Sequence, residues 1–298
     1  MGGAFLLIRK NHSDSFRVDN ALQSFKNLGF SNKHEYSFGS WKLFYYDKQL
    51  IKKEIKNSDE NINIFITGTC IIHGLSVDES MAAITDHYIK HKELPNSLIG
   101  NYCIIICQND KIYLHHDPEN IYNIFLAKDF SVISSSFLAL CDGMTKLTIN
   151  RDAIIENLCT GSLIGEDTIF SEINRVTNNV DVVLPEKSLL LFSKKEKFVI
   201  PHFHNKKESL SAQIDILDWY FAGIKALVKE FGLDSGLTGG FDSRLLMALI
   251  KRHFSDVSHQ FHSHKRKVNG AEYLIAKHLC TITNSSFVEE ESLDISDM

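Results

Sequence analysis

The chain has 298 residues, room for two domains by the usual size of about 150 each and for a sizeable buried core. Its 44% hydrophobic and 23% charged residues are those of a soluble globular protein, and a net charge of -5 argues against nucleic acid or an anionic membrane as the main partner. No apolar run reaches the ~20 residues of a membrane span, and Ala4–Ile8 is too short, and too badly placed against Arg9 and Lys10, for a signal-peptide core. Six cysteines without metal-site spacing, among them Cys103 and Cys107 on one strand face, read as small core residues of a reduced, cytoplasmic protein.

In chain order, Ala4–Arg9 reads as a strand, and Val18, Ala21, Leu22, Phe25 and Leu28 form a helical stripe that Gly29 ends. Trp41–Tyr46 and Ile62–Ile66 are strand-like, and Asp78–His91 is a helix with Met81, Ile84 and Tyr88 on one side. Closely spaced strands follow at Tyr102–Cys107, Lys111–His115, Ile124–Ala127 and Ser131–Ser135, parted by turn signals such as Asn109-Asp110. Asn150 caps a short helix, Arg151–Leu158, and a hairpin follows from Val180–Leu184 to Ser188–Phe192. This order predicts two stacked sheets with helices outside. Pro201 and the polar run around His202 and His204 read as a linker over residues 196–208.

Beyond the linker, Ile214, Leu217, Phe221, Ile224, Val228 and Phe231 place one apolar stripe on a helix of about five turns. Strand signals at Gly232–Leu237, Val257–His262 and Thr281–Val288 alternate with helical ones, after Ser243 and over Gly270–Leu279. Alternation of this kind starts a parallel, doubly wound sheet, and such sheets bind ligands at the carboxyl ends of their strands. At one such end lies Leu237-Thr238-Gly239-Gly240-Phe241-Asp242-Ser243-Arg244. Two glycines allow a tight turn and close approach of backbone N–H groups. Asp242 and Ser243 stand where a helix cap belongs, beside unpaired N–H groups and the positive end of the helix dipole. The combination suits a phosphate.

The loop resembles the pyrophosphate loop of N-type ATP pyrophosphatases, with Thr238 in place of their first serine, and Thr-Gly-Gly-x-Asp-Ser-Arg is similar to a branch of asparagine-synthetase-like proteins. Upstream, Leu98-Ile99-Gly100-Asn101-Tyr102, His115-His116-Asp117, Val132–Ser136 and Asp167–Val176 resemble segments of class II glutamine amidotransferase domains. The resemblance implies an α+β, N-terminal-nucleophile-type αββα sandwich over residues 1–195. It further implies, over 209–298, an incomplete parallel-sheet α/β domain of the adenine nucleotide α-hydrolase kind.

The implied activity is an ATP-dependent, amide-forming ligase. A small carboxylate is adenylated with release of pyrophosphate, and ammonia or an amine displaces AMP. The implied cofactors are ATP and Mg2+. Thr238, Gly239, Gly240, Phe241, Asp242 and Ser243 would wrap the pyrophosphate, Leu237 would line the nucleotide site, Ser263 would contact adenine, and Asp242 would hold Mg2+. Two departures are plain. Gly2 stands where the family's glutaminase has its nucleophilic cysteine, and Thr67-Gly68 replaces its Asn-Gly, so glutamine hydrolysis is not expected. The family's synthetase domain is also longer than the stretch after Ser243, so a continued or companion chain, or a second copy, is expected to complete the site.

Two other readings stay open: a non-catalytic nucleotide-binding homologue, and a subunit of a peptide- or polysaccharide-tailoring amidotransferase. Among the histidines, His259, His262 and His264 lack a spaced Cys or acidic partner for zinc. His115-His116-Asp117 reads as a structural strand end, and Lys265-Arg266-Lys267 as a surface turn.

Overall fold

The computed structural model describes residues 2–10, 15–47, 54–57, 62–109, 111–177, 180–184, 190–193, 202–265 and 271–291. In chain order the elements are β1 Ala4–Arg9, α1 Val18–Asn27, β2 Lys33–Phe38, β3 Trp41–Tyr46, β4 Glu54–Asn57, β5 Ile62–Gly68, β6 Ile71–Ile72, α2 Val77–His91, β7 Leu98–Ile99, β8 Tyr102–Gln108 and β9 Lys111–His116. They continue with β10 Phe125–Ala127, β11 Val132–Ser134, α3 Phe137–Gly143, α4 Arg151–Thr160, β12 Ile173–Arg175, β13 Val180–Leu184 and β14 Leu190–Ser193. The last are α5 Lys206–Gly223, α6 Lys225–Phe231, β15 Leu233–Gly236, α7 Phe241–His253, β16 His259–Lys265, α8 Ala271–Ile282 and β17 Ser286–Glu291. No described helix is long and apolar enough to cross a membrane.

The chain divides into two compact units, Met1–Cys70 with Ile99–Val199, and Ile71–Leu98 with Ile200–Met298. The first holds two antiparallel six-stranded sheets, ordered β12-β10-β11-β1-β3-β2 and β14-β13-β9-β8-β5-β4. Alternation along each strand sorts the side chains. On β1, Phe5 and Leu7 join Trp41, Leu43 and Tyr45 in the core between the sheets, against Phe65, Cys103, Ile105, Leu114 and Val182 of the second sheet. Leu6 and Ile8 point the other way and pack with Phe44 and Val132 against Ala21 and Phe25 of α1 and Ala139 and Leu140 of α3. Tyr45 donates its hydroxyl to the Ile66 carbonyl at 2.8 Å, joining one sheet to the other. The expected stacked sheets are therefore present, with helices outside the first.

Cys103 and Cys107 are buried in this core as read from sequence, and burial pushes both thiols up, away from reactivity. Asp117 is buried and accepts from the Ile121 and Tyr122 amides at 2.8 and 2.9 Å, while both ring nitrogens of His116 face carbonyl oxygens, of Asp117 and Val180. The structural reading of that pair stands.

Five strands were not anticipated: β2, β4, β6, β7 and β12. β2 is an edge strand whose polar residues hide the alternation of Tyr36 and Phe38, which pack onto Phe65. β12 is only three residues long and follows an irregular segment.

In the second unit β15, β16 and β17 form a parallel sheet in that order, as the alternation predicted. Leu237, Phe261, Met247, Ile250, Phe254, Ala276 and Cys280 pack into its core, with Phe221 and Val228. The single five-turn helix expected over 214–231 is instead two. Gly223 ends α5, its carbonyl accepts from Gly74 N–H at 2.9 Å, and a Cβ there would lie 2.5 Å from His73. The helix breaks where its backbone is taken by another segment.

The linker is also shorter than composition suggested, because Lys206–Glu208 already form the first turn of α5. Asn205 caps that turn, accepting from Glu208 N–H at 2.9 Å, and Glu208 accepts from His204 N–H at 2.8 Å. Asn205→Ala is expected to cost about 1 kcal/mol of stability. Urea denaturation would check it, and an unchanged midpoint would show that the cap contributes nothing.

Candidate functional site

The glycine loop stands where the sequence put it, between the carboxyl end of β15 and the start of α7. Leu237 is buried, with its side chain in the core, and its N–H donates to the His262 carbonyl at 2.8 Å. That bond continues the parallel register in which Gly236 faces His262, so Ser263, the next residue of β16, comes beside the loop. Ser263 itself faces Glu289 of β17, whose carboxylate pairs with Lys277 at 2.7 Å.

The loop closes on itself through two hydroxyls. Ser243 Oγ accepts from Thr238 N–H at 3.2 Å and lies 3.0 Å from Thr238 Oγ1. Thr238 Oγ1 also accepts from Gly240 N–H at 3.1 Å. The Thr238 hydroxyl therefore works inside the loop. The N–H groups of Gly239, Phe241 and Asp242 have no hydrogen-bond partner among the described residues. Asp242 is exposed in the first turn of α7. Phe241 is 83% exposed, and the Arg244 guanidinium lies 4.4 Å from its ring while donating from Nε to Gly240 O at 3.2 Å. One cation is thus held at the mouth of the loop.

Two local expectations need correction. The cap of α7 is Gly240, with φ -69 and ψ 159 and no side-chain cap bond, so Asp242 and Ser243 lie inside the first turn. Neither Gly239 nor Gly240 has a positive φ. Gly239 is needed for contact instead, since a Cβ would sit 3.1 Å from Ile275 and 3.2 Å from the Glu272 backbone. The first turn of α8 presses on the loop, which only the fold reveals.

The sequence reading also missed a pair beside the loop. His262 Nδ1 lies 2.8 Å from Asp234 Oδ1, and the place of a Cβ on Gly236 is 3.5 Å from His262 Nε2. Spacing could not find it, because the two residues meet across neighbouring strands. His259 Nδ1 faces the Val257 carbonyl at 2.9 Å. No group of three or more potential metal ligands occurs among the described residues. The side chains of His264 and Lys265, together with Arg266 and Lys267, lie outside them.

A polyphosphate fits this donor set: unpartnered N–H groups at a helix start, an arginine at the mouth and one exposed carboxylate suited to a hard cation.

At the other expected centre, Gly2 offers no side chain. Gly68 N–H donates to its carbonyl, and a Cβ on Gly2 would lie 3.1 Å from Gly68 Cα. Thr67 is buried and donates to Cys103 O at 3.3 Å, and Tyr122 donates to Gly3 O at 3.1 Å.

Compared with models of protein families and with curated proteins, the sequence matches none. Among solved structures the chain is similar to the glutamine phosphoribosylpyrophosphate amidotransferase of B. subtilis complexed with ADP and GMP, at 7% identity and a TM-score of 0.37, over 90% of this chain and 67% of that one. It is similar also to a structure described as the allosteric regulatory enzyme of purine biosynthesis, at 8% identity and a TM-score of 0.41, over 97% of this chain and 80% of that one. Scores this low describe a coarse likeness between mixed α/β proteins and carry neither family nor activity.

Proposed function

We propose that the second unit binds ATP with Mg2+ at the Thr238–Arg244 loop, and that the chain serves an asparagine-synthetase-like, amide-forming ligase with an N-terminal-nucleophile-type first unit. The observation that carries this reading is the closed loop. Ser243 and Thr238 hold it shut at the end of a parallel strand, and three N–H groups at the start of α7 are left without partners.

In this reading the N–H groups of Gly239, Phe241 and Asp242 bind phosphate oxygens, and Arg244 adds positive charge where pyrophosphate leaves. Asp242 holds Mg2+, which offsets the charge of the phosphates. Ser263 lies beside the loop in register and meets the adenine. The residues position the carboxylate and the α-phosphorus for an in-line reaction and supply no covalent step of their own. Ammonia or an amine provides the nitrogen, in keeping with a Gly2 that has no side chain and packs on Gly68.

Asp242→Asn is expected to weaken Mg2+-dependent ATP binding by about tenfold or more, as loss of one charged contact to a cation implies. Calorimetry with ATP, with and without Mg2+, reads it directly. Unchanged affinity in the variant removes the metal contact, and absence of ATP binding by the wild-type chain overturns the reading. Pyrophosphate release across a panel of small carboxylates then separates a ligase from a nucleotide-binding homologue.

A further inference from the structure

A cavity of about 290 Å³ opens in the first unit, formed by β10, the start of α3 and the segment from Leu163 to Ile169. That volume is at the lower edge of small-molecule sites, about 300–1,000 Å³, and suits a ligand of amino-acid size. Its walls are apolar: Phe125, Phe137, Leu163 and Ile169. Phe125 and Phe137 meet with ring centroids 5.3 Å apart, which makes that wall firm.

The rest of the lining is polar, Asn123 and Thr168 together with the charged Arg175 and Asp167. The backbone brings the charged pair together, because Asp167 bridges Asn174 and Arg175 N–H donates to the Glu166 carbonyl at 2.7 Å. The guanidinium is fixed by a bond from Nη2 to the Gly165 carbonyl at 3.0 Å. A guanidinium beside apolar walls favours an anionic partner. A simple carboxylate ligand would meet the Asp167 carboxylate in the same small space. A ligand bearing both charges satisfies both residues.

We propose that this cavity binds a free α-amino acid with an apolar side chain. Its carboxylate meets the Arg175 guanidinium, its ammonium faces Asp167, and its side chain enters between the two phenylalanines, Leu163 and Ile169. The site is independent of the nucleotide loop and stands whether or not that loop binds ATP.

Calorimetry on the whole chain tests it with L-phenylalanine, L-leucine, 3-phenylpropanoate and 2-phenylethylamine. The amino acids are expected to bind saturably, and the two single-charge analogues at least tenfold more weakly. Arg175→Gln is expected to weaken L-phenylalanine tenfold or more, and Asp167→Asn to weaken L-phenylalanine but not 3-phenylpropanoate. Ile169→Glu, at a partly exposed position that tolerates a polar side chain, is expected to close the pocket without unfolding the chain, with circular dichroism confirming the fold of each variant. No saturable binding by the wild type overturns the proposal, as does wild-type affinity in Arg175→Gln or Ile169→Glu. Equal affinity for 3-phenylpropanoate and L-phenylalanine overturns the amino-acid assignment.

Discussion

Replacing Phe65 by alanine is expected to destabilise the first unit by about 3–5 kcal/mol, the range for deleting a fully buried aromatic ring. Phe65 is wholly buried on β5, and its ring centroid lies 4.8 Å from that of Tyr36, 5.3 Å from Tyr45 and 6.0 Å from Phe38. Those three belong to the first sheet, whereas β5 belongs to the second, so the ring ties the sheets together. Its loss removes apolar burial and leaves a cavity that flanking aromatics on rigid strands cannot fill. Phe65→Leu keeps most of the volume and is expected to cost under about 1.5 kcal/mol. Equilibrium denaturation of both variants checks the pair. A Phe65→Ala loss no larger than that of Phe65→Leu would show that the ring does not join the sheets.

Gly68→Ala is expected to cost about 2–5 kcal/mol, adding ~1–2 for a left-handed backbone at a non-glycine residue to ~1–3 for forced packing. Gly68 has φ +82, and a Cβ there would meet the Asn101 carbonyl oxygen and lie 2.9 Å from Tyr102 Cα and from the Tyr122 ring. Two of those three are backbone atoms: Tyr102 pairs with Gly68 in the β5–β8 ladder, and the Asn101 carbonyl accepts from Thr69 N–H at 2.8 Å. They cannot swing aside. The same residue donates its N–H to Gly2, so the substitution should also free the N-terminal segment. Hydrogen exchange at Gly3–Leu6 would report that release. Unchanged stability together with unchanged protection would contradict the geometry.

Long, strongly patterned strands were legible in sequence because alternation and burial agree there. β3 and β13 were expected at their observed bounds, and β8 to within one residue. β2 was not legible, since an edge strand needs only one apolar face and this one carries Lys33, His34, Glu35 and Ser37. The break between α5 and α6 was hidden because their apolar stripe runs across it, while its cause, His73 against Gly223, lies far away in the chain. The loop Thr238–Arg244 was legible as strand, glycine turn and helix. Its inner bonds were not, and neither was the Asp234–His262 pair, because both depend on which residues face each other after folding.

The amino-acid sequence by itself determined the periodicities, and with them the stacked antiparallel sheets, the alternating parallel unit and the chemistry suited to phosphate. Periodicity survives without tertiary knowledge because each residue's local environment enforces it. Only the tertiary structure decided which N–H groups of the loop stay unpaired, that Gly239 answers to α8 rather than to a turn, and that Arg175 and Asp167 line one apolar cavity. Those outcomes rest on contacts between residues from separate elements, and no spacing along the chain encodes them.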